Sequence, residues 1–217
     1  VLRAEAMWRE FAQANAALQG VNPLAGLPDA GLFVIYEVHC AQGEAQEVVF
    51  AALESQFESG LILDAVMAQS GQQAADIWAV REDTLSMQSV WPHAVWFDVS
   101  VPLVHLDDVV KTVETRVATL DAGLKVHVLG HLADGNLHYS ITREAEIPDA
   151  LAALVKPAVL DGLKDVGGSF SAEHGIGTSK LPSMARRKNP VAIATMRAIK
   201  IALDPNGILN PGKVIPD

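Results

Sequence analysis

The sequence has very little cysteine: among its 217 residues there is one, Cys40. A single thiol cannot form a disulfide within the chain, so the fold has to depend on its hydrophobic core. A run of about 18 apolar residues free of charge, as a membrane-spanning helix requires, is also missing. Both absences fit a reducing compartment without membrane insertion, and we expect a cytoplasmic protein.

Positive charge is scarce as well. Sixteen Lys and Arg residues stand against 26 Asp and Glu residues, which gives a formal net charge of −10. A field of this sign repels phosphate backbones, so nucleic acid is not an expected partner. The chain starts at Val1, and residues 1–18 lack the basic start and apolar middle of a signal peptide. We therefore expect residues 1–217 to form one domain of a longer protein.

The hydrophobic spacing predicts alternating strands and helices. Strands are expected over residues 32–39, 61–68, 95–101, 125–129 and 137–142. Helices are expected over residues 1–18, 44–58, 72–89, 105–120, 149–166 and 183–203. The strands have one polar face, which favours an α+β fold in which helices cover one side of an antiparallel sheet. A structural duplication of two β-α-β halves is also compatible with this pattern.

The most informative motif is GHLADGNLH, residues 130–138. Asp134 and Gly135 form a dipeptide that favours a two-residue hairpin turn, because both turn positions need a positive φ. With that turn, His131 directly faces His138 across the hairpin. Opposed residues have Cβ atoms about 4.5 to 5.5 Å apart, which suits two imidazole nitrogens bound to one divalent ion.

A third metal ligand is available in SAEHGIG, residues 171–177. The small residues allow close approach of the backbone, and Glu173 supplies a carboxylate oxygen. Two histidines and one carboxylate leave a coordination position open for a substrate, with zinc or another divalent first-row metal as the expected ion. Four other histidines are expected to be ordinary hydrogen-bonded polar residues: His39, His93, His105 and His127.

Three motifs, GHLADGNLH, SAEHGIGTSK and DPNGILNPGK, occur in that order. Together they resemble the C-terminal domain of the FAD-linked oxidases of the vanillyl-alcohol oxidase superfamily, over most of the chain. Within that group the sequence is similar to D-2-hydroxyglutarate dehydrogenases, D-lactate dehydrogenases and the flavin subunits of glycolate oxidases. The resemblance implies an α+β domain of duplicated ferredoxin-like units with a large antiparallel sheet.

The resemblance also implies roles for individual residues. His131, His138 and Glu173 would hold the divalent metal, and His174 would lie between the metal and the flavin as the general base. The expected chemistry is oxidation of a D-2-hydroxy acid to a 2-keto acid, with hydride transfer to FAD.

Three further positions concern the substrate and the flavin. Arg81, in IWAVRED, would bind the substrate carboxylate, which its planar guanidinium matches with two hydrogen bonds. Asn210, in the turn-rich tail, would contact the flavin ring. Trp96 occupies the position where hydroxyglutarate dehydrogenases tend to carry lysine, and an indole cannot supply the charge for a second carboxylate. A smaller or more apolar hydroxy acid is therefore expected.

No glycine-rich dinucleotide fingerprint follows a strand in this sequence, so most of the FAD contacts are expected from a separate N-terminal domain. The chain alone would then be inactive. Its own partners would be that domain and a small hydroxy acid, with a homodimer as a further arrangement and the electron acceptor left open. Two other functions remain compatible with the motifs: a metal-binding assembly module without its own catalysis, and a metal-dependent hydrolase with the same three ligands.

Overall fold

The computed structural model describes residues 1–39 and 44–216, so Cys40 lies outside the described residues. Five strands are present in the described chain: β1 Arg3–Trp8, β2 Leu32–Glu37, β3 Val95–Ser100, β4 Lys125–His131 and β5 Asn136–Thr142. The described residues also form eight α-helices: α1 Arg9–Leu18, α2 Glu44–Glu58, α3 Gly71–Glu82, α4 Thr84–Val90, α5 Leu106–Leu120, α6 Asp149–Leu160, α7 Leu181–Arg187 and α8 Pro190–Leu203. Within these ranges, no helix combines the length and apolarity needed to cross a membrane.

The five strands form one antiparallel sheet in the order β2-β1-β4-β5-β3. Strands β3 and β4 are both antiparallel to β5, which lies between them, and α5 connects them. This arrangement is a split β-α-β unit of the ferredoxin-like type. The α+β class and the antiparallel sheet are confirmed, whereas duplication of such a unit stays a prediction.

Helices cover both faces of the sheet, so the prediction of a one-sided cover is wrong. Successive side chains of a strand point to opposite faces. Accordingly, Val128 of β4 packs with Val113 of α5 and Val155 of α6. Its neighbour Leu129 packs in a second core cluster with Phe11 of α1 and Val80 of α3. The second face is the one that carries the candidate site.

The first strand was not expected, because residues 1–18 were predicted to be a single helix. The segment RAEAMW contains good helix formers and no β-branched residue, but pairing with two strands overrides this local preference. Strand β1 lies between β2 and β4, with Glu5 opposite Ile35 on one side and His131 on the other. This pairing brings the side-chain carboxylate of Glu5 next to the GHLADGNLH motif.

The strand predicted over residues 61–68 is absent from the described structure. Leu61 and Leu63 are 75% and 56% exposed, and no neighbouring strand pairs with this segment. Asp64 accepts a hydrogen bond from the backbone N–H of Ala65. Side-chain bonding to the local backbone competes with strand pairing, which explains the irregular conformation.

Two predicted helices are each divided by a capping residue. Asp83 divides residues 72–89 and accepts the Ser86 N–H at the start of α4. Asn189 divides residues 183–203. Its side chain accepts the Val191 N–H and caps α8, which begins at Pro190. Both side chains satisfy a backbone donor that has no partner inside the helix.

The imidazole of His127 on β4 is buried against the first turn of α1, and we expect it to make stability depend on pH. Its Nδ1–H donates to the carbonyl of Glu10 and its Nε2 accepts from the Thr142 hydroxyl, at 3.1 and 3.0 Å. Burial lowers the pKa of His127. The unfolded chain therefore binds a proton more readily, and stability is lost as the pH falls below about 6.5.

Thermal denaturation between about pH 7.5 and 5.5 tests this expectation. The melting temperature should fall with pH, and less steeply in His127→Gln than in the parent. The exposed His93 provides a control, since His93→Gln should keep the parent slope. Equal slopes in the parent and His127→Gln would contradict the assignment.

Candidate metal and substrate site

The loop between β4 and β5 differs from the predicted two-residue turn. His131 pairs with Asn136, so the loop comprises residues 132–135 and the predicted pairing of His131 with His138 is wrong. Asp134 uses its side chain to accept the Asn136 N–H, and only Gly135 has a positive φ, of 74°. A Cβ atom at Gly135 would lie 2.0 Å from a backbone oxygen, so this position requires glycine.

The longer loop nevertheless leaves both histidines on one face of the sheet. His138 pairs with Leu129, which is two residues from His131 on the same strand. The two imidazoles are therefore diagonal neighbours, with ring centroids 5.3 Å apart and ring planes at 86°. The structure thus places the two histidines side by side by a different register from the predicted one.

The segment after residue 170 is held by Asp98, a buried residue that the sequence analysis missed. Its carboxylate accepts the backbone N–H groups of Ala172, Glu173 and His174 at 2.9 to 3.1 Å. Lys180 adds its ammonium at 3.2 Å. Burial alone would raise the pKa of Asp98, but the hydrogen bonds from the His174 N–H and from Lys180 outweigh it and lower that pKa. Asp98 stays ionised and fixes the loop over β5.

Glu173 points one carboxylate oxygen at three imidazoles. Its Oε1 lies 3.3 Å from His138 Nε2, 3.9 Å from His131 Nε2 and 3.7 Å from His174 Nε2. Ligand atoms that each lie about 2.0 to 2.2 Å from one tetrahedral ion are separated from one another by roughly 3 to 4 Å. The separations of Glu173 Oε1 from the three imidazole nitrogens therefore lie in the range expected for ligands of a single divalent ion.

One group of residues in the described chain is close enough to share an ion: Asp98, His138, Glu173 and His174 each offer a ligand atom within 4.8 Å of the others. The predicted set of His131, His138 and Glu173 shares two residues with this group, and the role of His131 as a ligand stays a prediction. The oxygens of Asp98 already accept hydrogen bonds from the loop, and its side chain is fully buried. Burial also lowers the pKa of His138, so its ring is neutral at neutral pH and keeps a lone pair for a metal.

Arg81 lies against this cluster. Its Nε donates to Glu5 Oε2 at 2.8 Å, and its Nη2 lies 3.3 Å from His131 Nε2. The other oxygen of Glu5 lies 2.8 Å from His131 Nδ1. The Arg81 side chain is 13% exposed, which excludes a fully solvated position on a helix surface. A role for Glu5 at the site was not predicted, because its strand was taken for part of a helix.

Trp96 and Asn210 are the two remaining predicted site residues. Trp96 is 40% exposed on β3, so it is not part of the core. It lines a cavity of about 200 Å³ together with Lys156 and Lys180. Asn210 is exposed in the C-terminal tail with a φ of 48°, and no hydrogen bond within the described chain joins it to the other predicted residues.

Three curated proteins to which this chain is similar share one name, D-2-hydroxyglutarate dehydrogenase. The chain is 38% identical over 201 residues to "Probable D-2-hydroxyglutarate dehydrogenase, mitochondrial" of Oryza sativa subsp. indica, covering 92% of this chain and 35% of that protein. It is 36% identical over 198 residues to the mitochondrial D-2-hydroxyglutarate dehydrogenase of Rattus norvegicus, covering 90% of this chain and 36% of the relative. The D-2-hydroxyglutarate dehydrogenase of Stutzerimonas stutzeri (strain A1501) is 32% identical over 222 residues, with coverages of 98% and 47%.

The chain thus spans between about a third and a half of the length of these relatives. Since the names of the plant and animal relatives include a mitochondrial location and that of the bacterial one does not, the predicted cytoplasmic location stays a prediction.

A solved structure supports the fold. The 4-ethylphenol oxidase from Gulosibacter chungangensis, in its isoeugenol complex, matches 99% of this chain and 48% of its own, with a TM-score of 0.54 and 16% identity. The family model described as "FAD linked oxidases, C-terminal domain" matches residues 1–214. The chain therefore belongs to the family of FAD-linked oxidase C-terminal domains.

Proposed function

We propose that this chain is the substrate- and metal-binding part of an FAD-dependent dehydrogenase or oxidase that converts a D-2-hydroxy acid to a 2-keto acid. The observation that carries the proposal is the fixed guanidinium of Arg81 beside the cluster of His131, His138 and Glu173. Such a site can bind a carboxylate and a neighbouring hydroxyl at once. Family membership and the names of the relatives support the same chemistry.

The donor atoms fit a divalent metal, for which zinc is the leading candidate. His131 and His138 would bind it through Nε2 and Glu173 through its carboxylate. A metal ion in this place would polarise the α-hydroxyl of the substrate and lower its pKa.

The residues of the chain divide the remaining work. Arg81 binds and orients the substrate carboxylate through the guanidinium nitrogens that Glu5 leaves available. His174 takes the hydroxyl proton, and its side chain is 61% exposed, which allows it to pass the proton to solvent. FAD, when bound, accepts the hydride. Asn210 is the proposed contact of this chain with the flavin, and a separate domain would hold most of the cofactor.

The test of the function is anaerobic reduction of the flavin in the FAD-loaded holoenzyme. D-2-hydroxyglutarate and D-lactate should be offered separately, and their L-enantiomers serve as controls. Bleaching of the flavin with formation of the matching 2-keto acid is the expected result. An unreduced flavin would contradict the proposal. Hydrolysis of a separately added ester or amide would then support the metal-dependent hydrolase, and metal binding without any turnover would support the assembly module.

The choice between a diacid and a monoacid is expected to depend on Trp96. Because Trp96 is partly exposed beside a cavity, lysine at this position can keep its charge hydrated. Trp96→Lys should favour 2-hydroxyglutarate over 2-hydroxypentanoate, which shares its carbon chain and lacks the distal carboxylate. A charge-assisted hydrogen bond contributes roughly 1.5 to 3 kcal/mol, which corresponds to a change of about 10- to 150-fold in the ratio of kcat/KM values.

The exposed Val104 supplies a control for this prediction, since it does not line the cavity and Val104→Lys adds the same charge at the surface. Thermal stability should be measured beside the kinetics. A stable Trp96→Lys variant with an unchanged ratio of specificities would show that Trp96 does not contact the substrate.

A further inference from the structure

Glu5 occupies an unusual position for a carboxylate. It lies on β1, where it pairs with His131 of β4, and it is 8% exposed. Both oxygens have charged or polar partners: Oε1 lies 2.8 Å from His131 Nδ1, and Oε2 lies 2.8 Å from Arg81 Nε. One buried carboxylate therefore contacts a proposed metal ligand and the proposed substrate-binding residue.

The contact with His131 determines which ring nitrogen is free. A carboxylate accepts the proton of Nδ1–H, which leaves the lone pair on Nε2. His131 Nε2 is the nitrogen that faces Glu173, at 3.9 Å. Carboxylates that receive the second N–H of a metal-binding histidine orient the ring and increase its basicity as a ligand.

The contact with Arg81 determines where its guanidinium points. The bond from Nε to Glu5 fixes one edge of the planar group, and Nη2 lies 3.3 Å from Nε2 and 3.4 Å from Nδ1 of His131. Among the described residues Nη1 has no hydrogen-bond partner, so it is the nitrogen available to an incoming carboxylate. Displacement of Glu5 would release both side chains together, because the same group holds them.

We propose that Glu5 is a positioning residue that couples metal binding at His131 to carboxylate binding at Arg81. The inference rests on the proposed function of this site. Because one carboxylate holds both side chains, a ligand that restrains either of them also restrains the other, so each ligand should increase the affinity for its partner. Thermodynamic linkage requires the two increases to be equal, and couplings between sites typically amount to about 5- to 150-fold.

Glu5→Gln in the FAD-loaded holoenzyme tests the proposal without turnover. An amide can still accept from His131, but it cannot hold Arg81 by charge. Zinc affinity, measured by competition with a chelating dye, should fall about 10- to 100-fold. The affinity for propanoate, a monocarboxylate that does not chelate zinc, should show coupling to zinc in the parent and little coupling in the variant. Glu5→Asp keeps the charge but is one methylene shorter, so it should also lose coupling.

Glu37→Gln is the matched control, because Glu37 forms an exposed ion pair with Arg3 on the adjacent strand. It should leave both affinities unchanged. Unchanged zinc affinity in Glu5→Gln, or coupling that persists in both Glu5 variants, would overturn the proposal. A parent enzyme that couples zinc to propanoate but oxidises no hydroxy acid would refute the proposed function alone.

Discussion

Replacing His174 by glutamine is expected to lower kcat of the holoenzyme by about 10² to 10⁴, the usual contribution of a positioned general base. Glutamine can form hydrogen bonds but cannot accept the substrate proton. The variant keeps the backbone N–H that donates to Asp98, so the loop should remain in place. The loss should therefore appear in kcat without a matching loss of metal affinity.

Steady-state kinetics of the holoenzyme provide the measurement. Added imidazole should restore part of the activity of His174→Ala. The exposed His39 is a suitable control, since His39→Gln should behave as the parent does. A His174→Gln enzyme with parental kcat would show that another group accepts the proton.

Arg81→Met should have the second large effect, mainly on substrate binding. Removing one partner of a buried, hydrogen-bonded charge pair costs about 2 to 5 kcal/mol, which corresponds to a decrease in kcat/KM of roughly 30- to 4,000-fold. The same change leaves Glu5 without its cationic partner. A lower melting temperature is therefore expected alongside the higher KM.

A double variant separates these two effects. In Arg81→Met with Glu5→Gln the unpaired charge is gone, so stability should recover in part while KM stays high. Arg9→Met is the control, because Arg9 forms an exposed ion pair with Asp29. If stability and KM recover together in the double variant, Arg81 acts on the fold and not on the substrate.

The parts of the site that lie within short motifs could be predicted from the sequence. The contacts between residues far apart in the sequence could not. Two histidines separated by a turn, and a carboxylate in a small-residue loop, are visible in short motifs. The register of β4 with β5 was not, because the side chain of Asp134 builds a longer loop that the Asp-Gly pattern does not reveal. The faces of the strands survived this error, since a shift of two residues preserves the side-chain direction.

Asp98 and Glu5 could not be assigned roles from sequence for different reasons. Asp98 is a charged residue within the otherwise apolar strand VWFDVS. A buried charge needs a partner, so this position could have been recognised from the sequence. Glu5 lies in a segment with helical propensity, and its partners are 76 and 126 residues away. Only the strand order brings them together. The same strand order explains why helices cover both faces, which periodicity within single elements does not report.

The place of β1 in the sheet has a consequence for biosynthesis. The N-terminal strand pairs with β4, whose partner residues are synthesised more than a hundred positions later. Closing so long a segment costs chain entropy and slows folding. Glu5 therefore has no His131 to pair with until β4 has been synthesised, and Glu173 is synthesised after both. The proposed ligands therefore come together only after His131, His138 and Glu173 have all been synthesised and β1 has paired with β4, so a metal would be bound late in the folding of this domain.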